Sequence, residues 1–221
     1  MRGRKQAGFD WIGRSIMPDL KLVFLRALAA SFAMSFFPTA GAAAPEAGAD
    51  TGETMLLVAK RKFEDPIWGA TIILVKPVEG GGHIGFILNK PTKMSLTDLF
   101  PEHEPSKKVA DPLFMGGTVD LNLVFALVER HGGKKDEAIR IAPDLFLAFE
   151  TKTIDRIIES ESDHARFFLG LVVWRPGQLD DELERGLWYV HEPDAKLVLR
   201  RKTDDLWDEL VRTLEERANT I

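Results

Sequence analysis

The chain has 221 residues, of which 45% are hydrophobic and 29% charged, a balance typical of one globular domain with short additions. Its formal net charge is −5 and its basic runs are short with acidic residues nearby, which argues against nucleic acid as a partner. It contains no cysteine, which excludes disulfides, thiolate nucleophiles and cysteine-ligated metal centres.

The N-terminal residues have the pattern of a secretory signal peptide. Lys21 and Arg26 precede an apolar run from Ala27 to Phe37, about the length of a signal core and too short to span a bilayer. The Ala-Gly-Ala of residues 40–42 matches the small-x-small pattern that a signal peptidase recognises. We expect a signal peptide over 1–42 and a periplasmic or secreted protein. A disordered tail, an uncleaved anchor and a cytoplasmic location are the alternatives.

Cleavage after residue 42 would remove six basic and two acidic residues from the 29 and 34 of the whole chain, and the net charge would become −9. The true start is either Met1 or Met17. Residues 43–54 are expected to form a flexible linker, and 55–221 a single folded domain without a membrane span.

Strand patterns dominate the first part of this domain. In chain order we predict a strand at 55–59, a turn at 65–69, strands at 70–77 and 83–90 joined by a glycine turn at 78–82, a helix at 95–100 and a strand at 113–117. Pro91 is expected to end the strand before it, and Ser95 to cap the helix.

The rest of the chain alternates in the same irregular way. We predict a hairpin of strands 121–129 and 138–142 around a tip at 130–137, a strand at 144–150, a helix at 151–160, a central strand at 165–174, a two-turn helix at 177–186, a strand from Trp188 and a helix at 203–218 capped by Thr203. Many strands and few helices without regular βαβ alternation indicate an α+β fold with a mainly antiparallel mixed sheet.

The stretch FLGLVVWRPGQLDDELERGLWYV at 168–190 resembles the signature of the YqgE/AlgH family of bacterial proteins, which reads Gly-Tyr-Ala-Gly-Trp-x-x-Gly-Gln-Leu-Glu-x-Glu and then Trp. The matching positions are Gly170, Trp174, Gly177, Gln178, Leu179, Glu182 and Trp188. LVA at 57–59, DPIW at 65–68, GGHIGFILNKP at 81–91 and GG at 116–117 match further motifs in the family's order. Leu171 to Val173 replace the family's Tyr-Ala-Gly, so the resemblance is to a divergent member with a signal peptide.

The resemblance implies a small barrel-like β core flanked by helices. It carries over no catalytic residue, because the family's biochemical function is poorly defined. Some members are labelled transcriptional regulators.

The residues themselves point to no reaction. No histidine lies in a metal-ligand spacing, and the glycines before His83 lead into a strand, whereas a phosphate-binding loop leads into a helix. We therefore expect no catalytic set, metal or cofactor. The candidate ligand-binding residues are Asn89, Lys90, Gly116, Gly117 and Gln178.

Three functions follow from these observations. The first is a non-catalytic exported protein that binds an unknown protein or small molecule. The second is a cytoplasmic transcriptional regulator, as the family label suggests. The third is an unrecognised enzyme with a site near Asn89 and Gly116.

Overall fold

The computed structural model describes residues 53–130 and 138–218, in which ten strands join in one sheet. The strands are β1 (Met55–Ala59), β2 (Ile72–Pro77), β3 (His83–Ile87), β4 (Pro91–Ser95), β5 (Pro112–Met115), β6 (Val119–Glu129), β7 (Ile139–Ala142), β8 (Leu145–Ala148), β9 (Ala165–Trp174) and β10 (Trp188–His191). The α-helices are α1 (Leu96–Leu99), α2 (Thr151–Ser160), α3 (Gln178–Glu184), α4 (Ala195–Val198) and α5 (Leu206–Ala218). Short 3-10 turns occupy Glu104–Lys108 and Ser162–His164.

The sheet is mainly antiparallel, with the strand order β10-β1-β2-β3-β9-β6-β8-β7. Strand β5 lies off this path, where it pairs antiparallel with β4 and parallel with β9. The apolar strand β9 bonds to β3, β5 and β6, so it occupies the centre of the sheet, as its composition predicts.

The sheet curls into a half-barrel because β9 changes partners along its length. Its first part pairs with β6, and Val172 to Trp174 pair with β3. Near the change of partner, where the register with β6 shifts, Gly170 has a φ of +67°, a left-handed conformation that bends the strand. The fold is therefore the expected α+β class with a barrel-like core flanked by helices.

Two apolar clusters pack against the two parts of the curled sheet. One lies under α2 and contains its buried residues Ile154, Ile157 and Ile158, which recur at helical spacing. The other joins β1, β2 and β3 to the end of β9, and Leu179 of α3 packs into it. Helix α5 is held on β1, since the Trp207 indole donates a 2.8 Å hydrogen bond to the Ala59 carbonyl.

Local sequence signals place the start of α1 correctly but not that of α5. Ser95 caps α1, as predicted, by accepting a hydrogen bond from the Asp98 N–H, and the Asp98 carboxylate accepts one from the Ser95 N–H at 2.7 Å. Helix α5 begins later than predicted, at Leu206, whose N–H bonds to the Thr203 carbonyl.

The predicted pairing of strands 121–129 and 138–142 is wrong. Strand β8 lies between β6 and β7 and pairs with both. The reason is burial: β8 is mostly buried and needs two neighbours, whereas Ile139 and Arg140 of β7 are exposed and suit an edge. Of the predicted hairpin tip, residues 131–137 lie outside the described residues.

Pro91 was expected to end a strand, and it instead opens β4, while the preceding strand stops at Ile87. Strand β4 pairs with β5 alone, so it is an edge, where the missing N–H of proline leaves no partner unsatisfied.

One buried side chain in β9 carries a formal charge. Arg166 is 3% exposed and donates 2.6 Å hydrogen bonds to the carbonyls of Val198 and Leu88. Its guanidinium lies 3.8 Å from the centroid of the Phe114 ring. Burial lowers the pKa of Arg166 to about 9, so the group stays protonated at neutral pH. Arg166 therefore joins three separate segments of the chain.

Candidate functional site

Asn89 fixes the start of β2. Its side-chain oxygen accepts a hydrogen bond from the Ile72 N–H at 2.9 Å, and its side-chain nitrogen donates one to the Ala70 carbonyl at 2.8 Å. Ala70 has a φ of +53°, a left-handed conformation that a non-glycine residue seldom adopts. Both ends of the Asn89 amide group thus hold a strained turn in place.

The turn that Asn89 contacts is the predicted one at 65–69. The Asp65 carboxylate accepts 2.8 Å hydrogen bonds from the N–H groups of Trp68 and Ile67, which hold the pKa of Asp65 below its usual range. The Lys90 ammonium lies 3.5 Å from the Gly69 carbonyl of the same turn. The family motifs around Asp65 and Asn89 therefore meet in space and support each other.

Gly116 and Gly117 lie next to Lys90 and cross over β9. The Met115 N–H bonds to the Lys90 carbonyl at 2.9 Å, and the Ile87 N–H to the Gly116 carbonyl at 2.8 Å. A Cβ atom on Gly116 would stand 2.3 Å from the Gly170 oxygen, and one on Gly117 would stand 2.0 Å from the Leu171 carbonyl carbon. These glycines are needed because two backbones touch here.

Gln178 lies elsewhere, at the start of α3. Its side-chain oxygen accepts a 3.2 Å hydrogen bond from the Arg175 N–H and closes the turn before the helix. Pro176 of this turn lies against Gly81 and Gly82, at the His83 end of β3. Asn89 lies beyond the other end of that strand, about 20 Å from His83 if the chain between them is extended.

The two tryptophans of the signature share one hydrogen-bond acceptor, the carboxylate of Glu182. Its Oε2 atom accepts hydrogen bonds from the Trp188 indole at 2.9 Å and from the Trp174 indole at 3.2 Å. Both rings are buried, so their N–H groups need an acceptor. Gly85 makes room for one ring, because a Cβ there would stand 2.8 Å from Trp174. The carboxylate thus joins the ends of β9 and β10 to α3.

Replacement Glu182→Ala should destabilise the domain by about 2–3 kcal/mol, because two buried indole N–H groups lose a charged acceptor. The measurement is urea unfolding of the full chain followed by circular dichroism. Glu184→Ala removes an exposed carboxylate from the same helix and should change the free energy of unfolding by less than about 0.5 kcal/mol. Equal stability of the two variants would contradict this role for Glu182.

A cavity of about 500 Å³ opens beside the glycine turn between β2 and β3. The described residues that line it provide apolar, polar and backbone groups: Glu53, Met55, Pro77, Val78, Gly80, Gly81, Gly82 and His83. This volume lies within the range of small-molecule sites. The glycines leave their backbone open to an incoming group, since Gly80 and Gly81 carry no side chain and turn with φ of +87° and +80°.

His83 is the ionisable ring on this wall. Its Nδ1 atom is buried and has no hydrogen-bond partner among the described residues. Burial lowers the pKa of His83, and the nearby carboxylate of Asp180 opposes that shift. The imidazole is therefore neutral at pH 7 and retains an unsatisfied nitrogen.

The lowered pKa of His83 predicts a loss of stability in mild acid. The unfolded chain binds a proton on this ring more readily than the folded one, so stability is full above the unfolded value and falls as pH drops through the folded pKa. Between about pH 7.5 and 5 the wild type should lose more stability than His83→Asn. Asp155, whose pKa burial raises, acts in the opposite direction in both proteins and cancels in the comparison. Parallel pH profiles of the two proteins would refute the assignment.

The structure thus brings Asn89 and Lys90 together with Gly116 and Gly117, and it places Gln178 apart from them. The cavity wall and Glu182 were not among the predicted site residues. The family signature did point to Glu182, since it has a glutamate at this position between its two tryptophans. The spacing did not show that both indoles bond to it.

Two further features concern metals and membranes. Across 53–130 and 138–218 no cluster of three His, Asp or Glu side chains is arranged to hold a metal ion. None of the helices in that part of the chain combines the length and apolar character needed to cross a bilayer.

Known structures share this fold. The solution structure of the AlgH protein from Pseudomonas aeruginosa superposes with a TM-score of 0.62 at 17% identity, covering 77% of this chain and 93% of that one. A crystal structure of a Corynebacterium diphtheriae protein gives a TM-score of 0.61 at 24% identity, covering 73% and 86%.

Sequence relatives agree with the structural match. A UPF0301 protein of Chlorobaculum tepidum is 31% identical over 161 residues, which cover 72% of this chain and 84% of the relative. A UPF0301 protein of Chlamydia muridarum is 28% identical over 165 residues, covering 73% and 86%. The profile of the AlgH-like family matches residues 56–219, which include the whole described sheet from Leu56 onwards. The chain therefore belongs to the AlgH-like family.

Proposed function

We propose that this protein is a non-catalytic exported protein that acts by binding a small molecule or a group of a protein partner in the cavity beside the glycine turn. The observation that carries the proposal is the cavity itself, which pairs an apolar wall of Met55, Pro77 and Val78 with the polar groups of Glu53 and His83. Apolar walls with a few polar groups are typical of binding sites.

The hydrogen bonds of the two predicted polar residues Asn89 and Gln178 favour binding in the cavity over chemistry at either residue. Asn89 uses both ends of its amide group on the backbone, and Gln178 closes a turn. A general acid or base must instead reach a proton of the substrate. The alternative of an enzyme with a site near Asn89 and Gly116 is supported by the proximity of these residues. It predicts a cleft there that binds substrate.

Binding in the cavity can be tested on the full chain by NMR with a fragment library. We expect saturable shifts of the Gly80, Gly81 and Gly82 amides. Val78→Phe should fill the cavity and abolish these shifts, whereas Val119→Phe, at an exposed position on β6, should leave them intact. Shifts that survive Val78→Phe would count against the cavity.

The export part of the proposal rests on the leader pattern of residues 1–42. N-terminal sequencing of the protein from fractionated cells tests it directly. We expect a periplasmic or secreted chain that starts at Ala43. An intact leader on protein from the cell interior would overturn export and would favour the transcriptional-regulator hypothesis, which in turn requires salt-dependent DNA binding by an acidic chain.

A further inference from the structure

Among the described residues that line the cavity there is one carboxylate, that of Glu53, and neither a lysine nor an arginine. Glu53 lies on the wall, and the carboxylate of Asp180 lies close enough to His83 to act on its titration. Among the described wall residues the ionisable nitrogen base is His83, which is neutral at pH 7. The Glu53 carboxylate on this wall therefore favours a cationic ligand over an anionic one.

The apolar residues and His83 on the wall add two further requirements for the ligand. Met55, Pro77 and Val78 line the cavity with apolar surface, which favours a ligand with a hydrocarbon portion. The neutral His83 ring on the wall has one nitrogen that accepts hydrogen bonds, so it can take a donor from a ligand. An ammonium or guanidinium group donates hydrogen bonds and carries positive charge, so it satisfies both needs.

We propose that the cavity binds a primary ammonium or guanidinium group on an apolar stem. The inference rests on the proposed function and names its ligand class. The cation lies by Glu53 and His83, and the stem packs on Met55 and Val78. Free amines and the side chain of a lysine in a peptide share this chemistry.

The first experiment compares probes that differ in the charge of the head group and share a stem. Hexylamine, hexanol and hexanoate are titrated separately into the full chain at neutral pH and followed through the amides of residues 80–83. We expect hexylamine to bind at least about tenfold more tightly than hexanol, and hexanoate to bind most weakly. A blocked peptide with a single lysine distinguishes the two sources, since stronger binding of the peptide assigns the cation to a protein partner.

The second experiment removes the charge on the wall. Glu53→Gln should reduce the preference for hexylamine over hexanol by about fivefold. Glu79→Gln is the matched control, because it removes the same charge from the adjacent glycine turn at an exposed residue that does not line the cavity. Equal effects of both substitutions would indicate a diffuse field and would overturn the role of Glu53.

The outcomes separate this inference from the proposed function. Binding of hexanol or hexanoate as tight as that of hexylamine overturns the cation inference and leaves the cavity as a binding site. If none of the three probes shifts the amides of residues 80–83, both the inference and the cavity as a binding site are wrong.

Discussion

Gly117→Ala will prevent the domain from folding to its native state. The new Cβ atom would stand 2.0 Å from the carbonyl carbon of Leu171 and 2.3 Å from the Val172 nitrogen. Carbon atoms prefer separations of about 3.5–4.0 Å, and neither backbone can move without breaking the pairing of β5 and β6 with β9. We expect a loss of more than about 4 kcal/mol, which is a large share of the total stability of a domain. Soluble yield and circular dichroism of the full chain measure it.

Gly177→Ala separates this clash from the ordinary cost of replacing a glycine. Gly177 has a φ of +79°, and no atom lies within 4 Å of the position that a Cβ would take. Alanine there should lower the stability only by the cost of its left-handed conformation, about 1–2 kcal/mol. A Gly117→Ala protein as stable as Gly177→Ala would show that the glycine crossing is not required.

Arg166→Met should cost about 2–4 kcal/mol of folding free energy. The substitution keeps an apolar stem but leaves the buried carbonyls of Leu88 and Val198 without their donor, at about 1–3 kcal/mol each. It also loses the contact with the Phe114 ring. Removal of a buried charge offsets part of this loss, because burial of the guanidinium is itself unfavourable. Urea unfolding at neutral pH gives the difference.

Two variants test why Arg166 matters. Arg166→Lys keeps the charge but cannot reach two carbonyls with a planar fork, so we expect it to restore little of the lost stability. Arg140→Met is the control, because exposed Arg140 also donates to two carbonyls, those of Ala142 and Pro143. It should cost less than about 0.5 kcal/mol. Full rescue by lysine would assign the effect to charge alone.

The elements that sequence predicts well are those specified by nearby residues. The Ser95 cap on α1, the Asp65 turn and the isoleucine stripe of α2 each depend on contacts within about four positions, and all three are present. The pairing of β7 was predicted wrongly for the complementary reason. Adjacency in the chain favoured a hairpin with β6, whereas burial of β8 demanded two neighbours.

The candidate site shows the same division. The motifs around Asn89 and Gly116 could be picked from sequence, but their proximity depends on hydrogen bonds between β3 and the glycine crossing. The cavity could not be predicted, since two strands separate Glu53 from His83 in the chain and the two residues come together only when β1, β2 and β3 pair.

The sequence by itself determined the fold class, the family resemblance and the absence of cysteine chemistry, because composition, apolar periodicity and turn residues act locally. Tertiary structure alone decided that Glu182 accepts from two tryptophans, that Gly117 touches the backbone of Leu171, and that Arg166 bonds to carbonyls 78 and 32 residues away. Such contacts join segments whose separation along the chain carries no information about distance. They are fixed by which strands pair and by how closely their backbones pack.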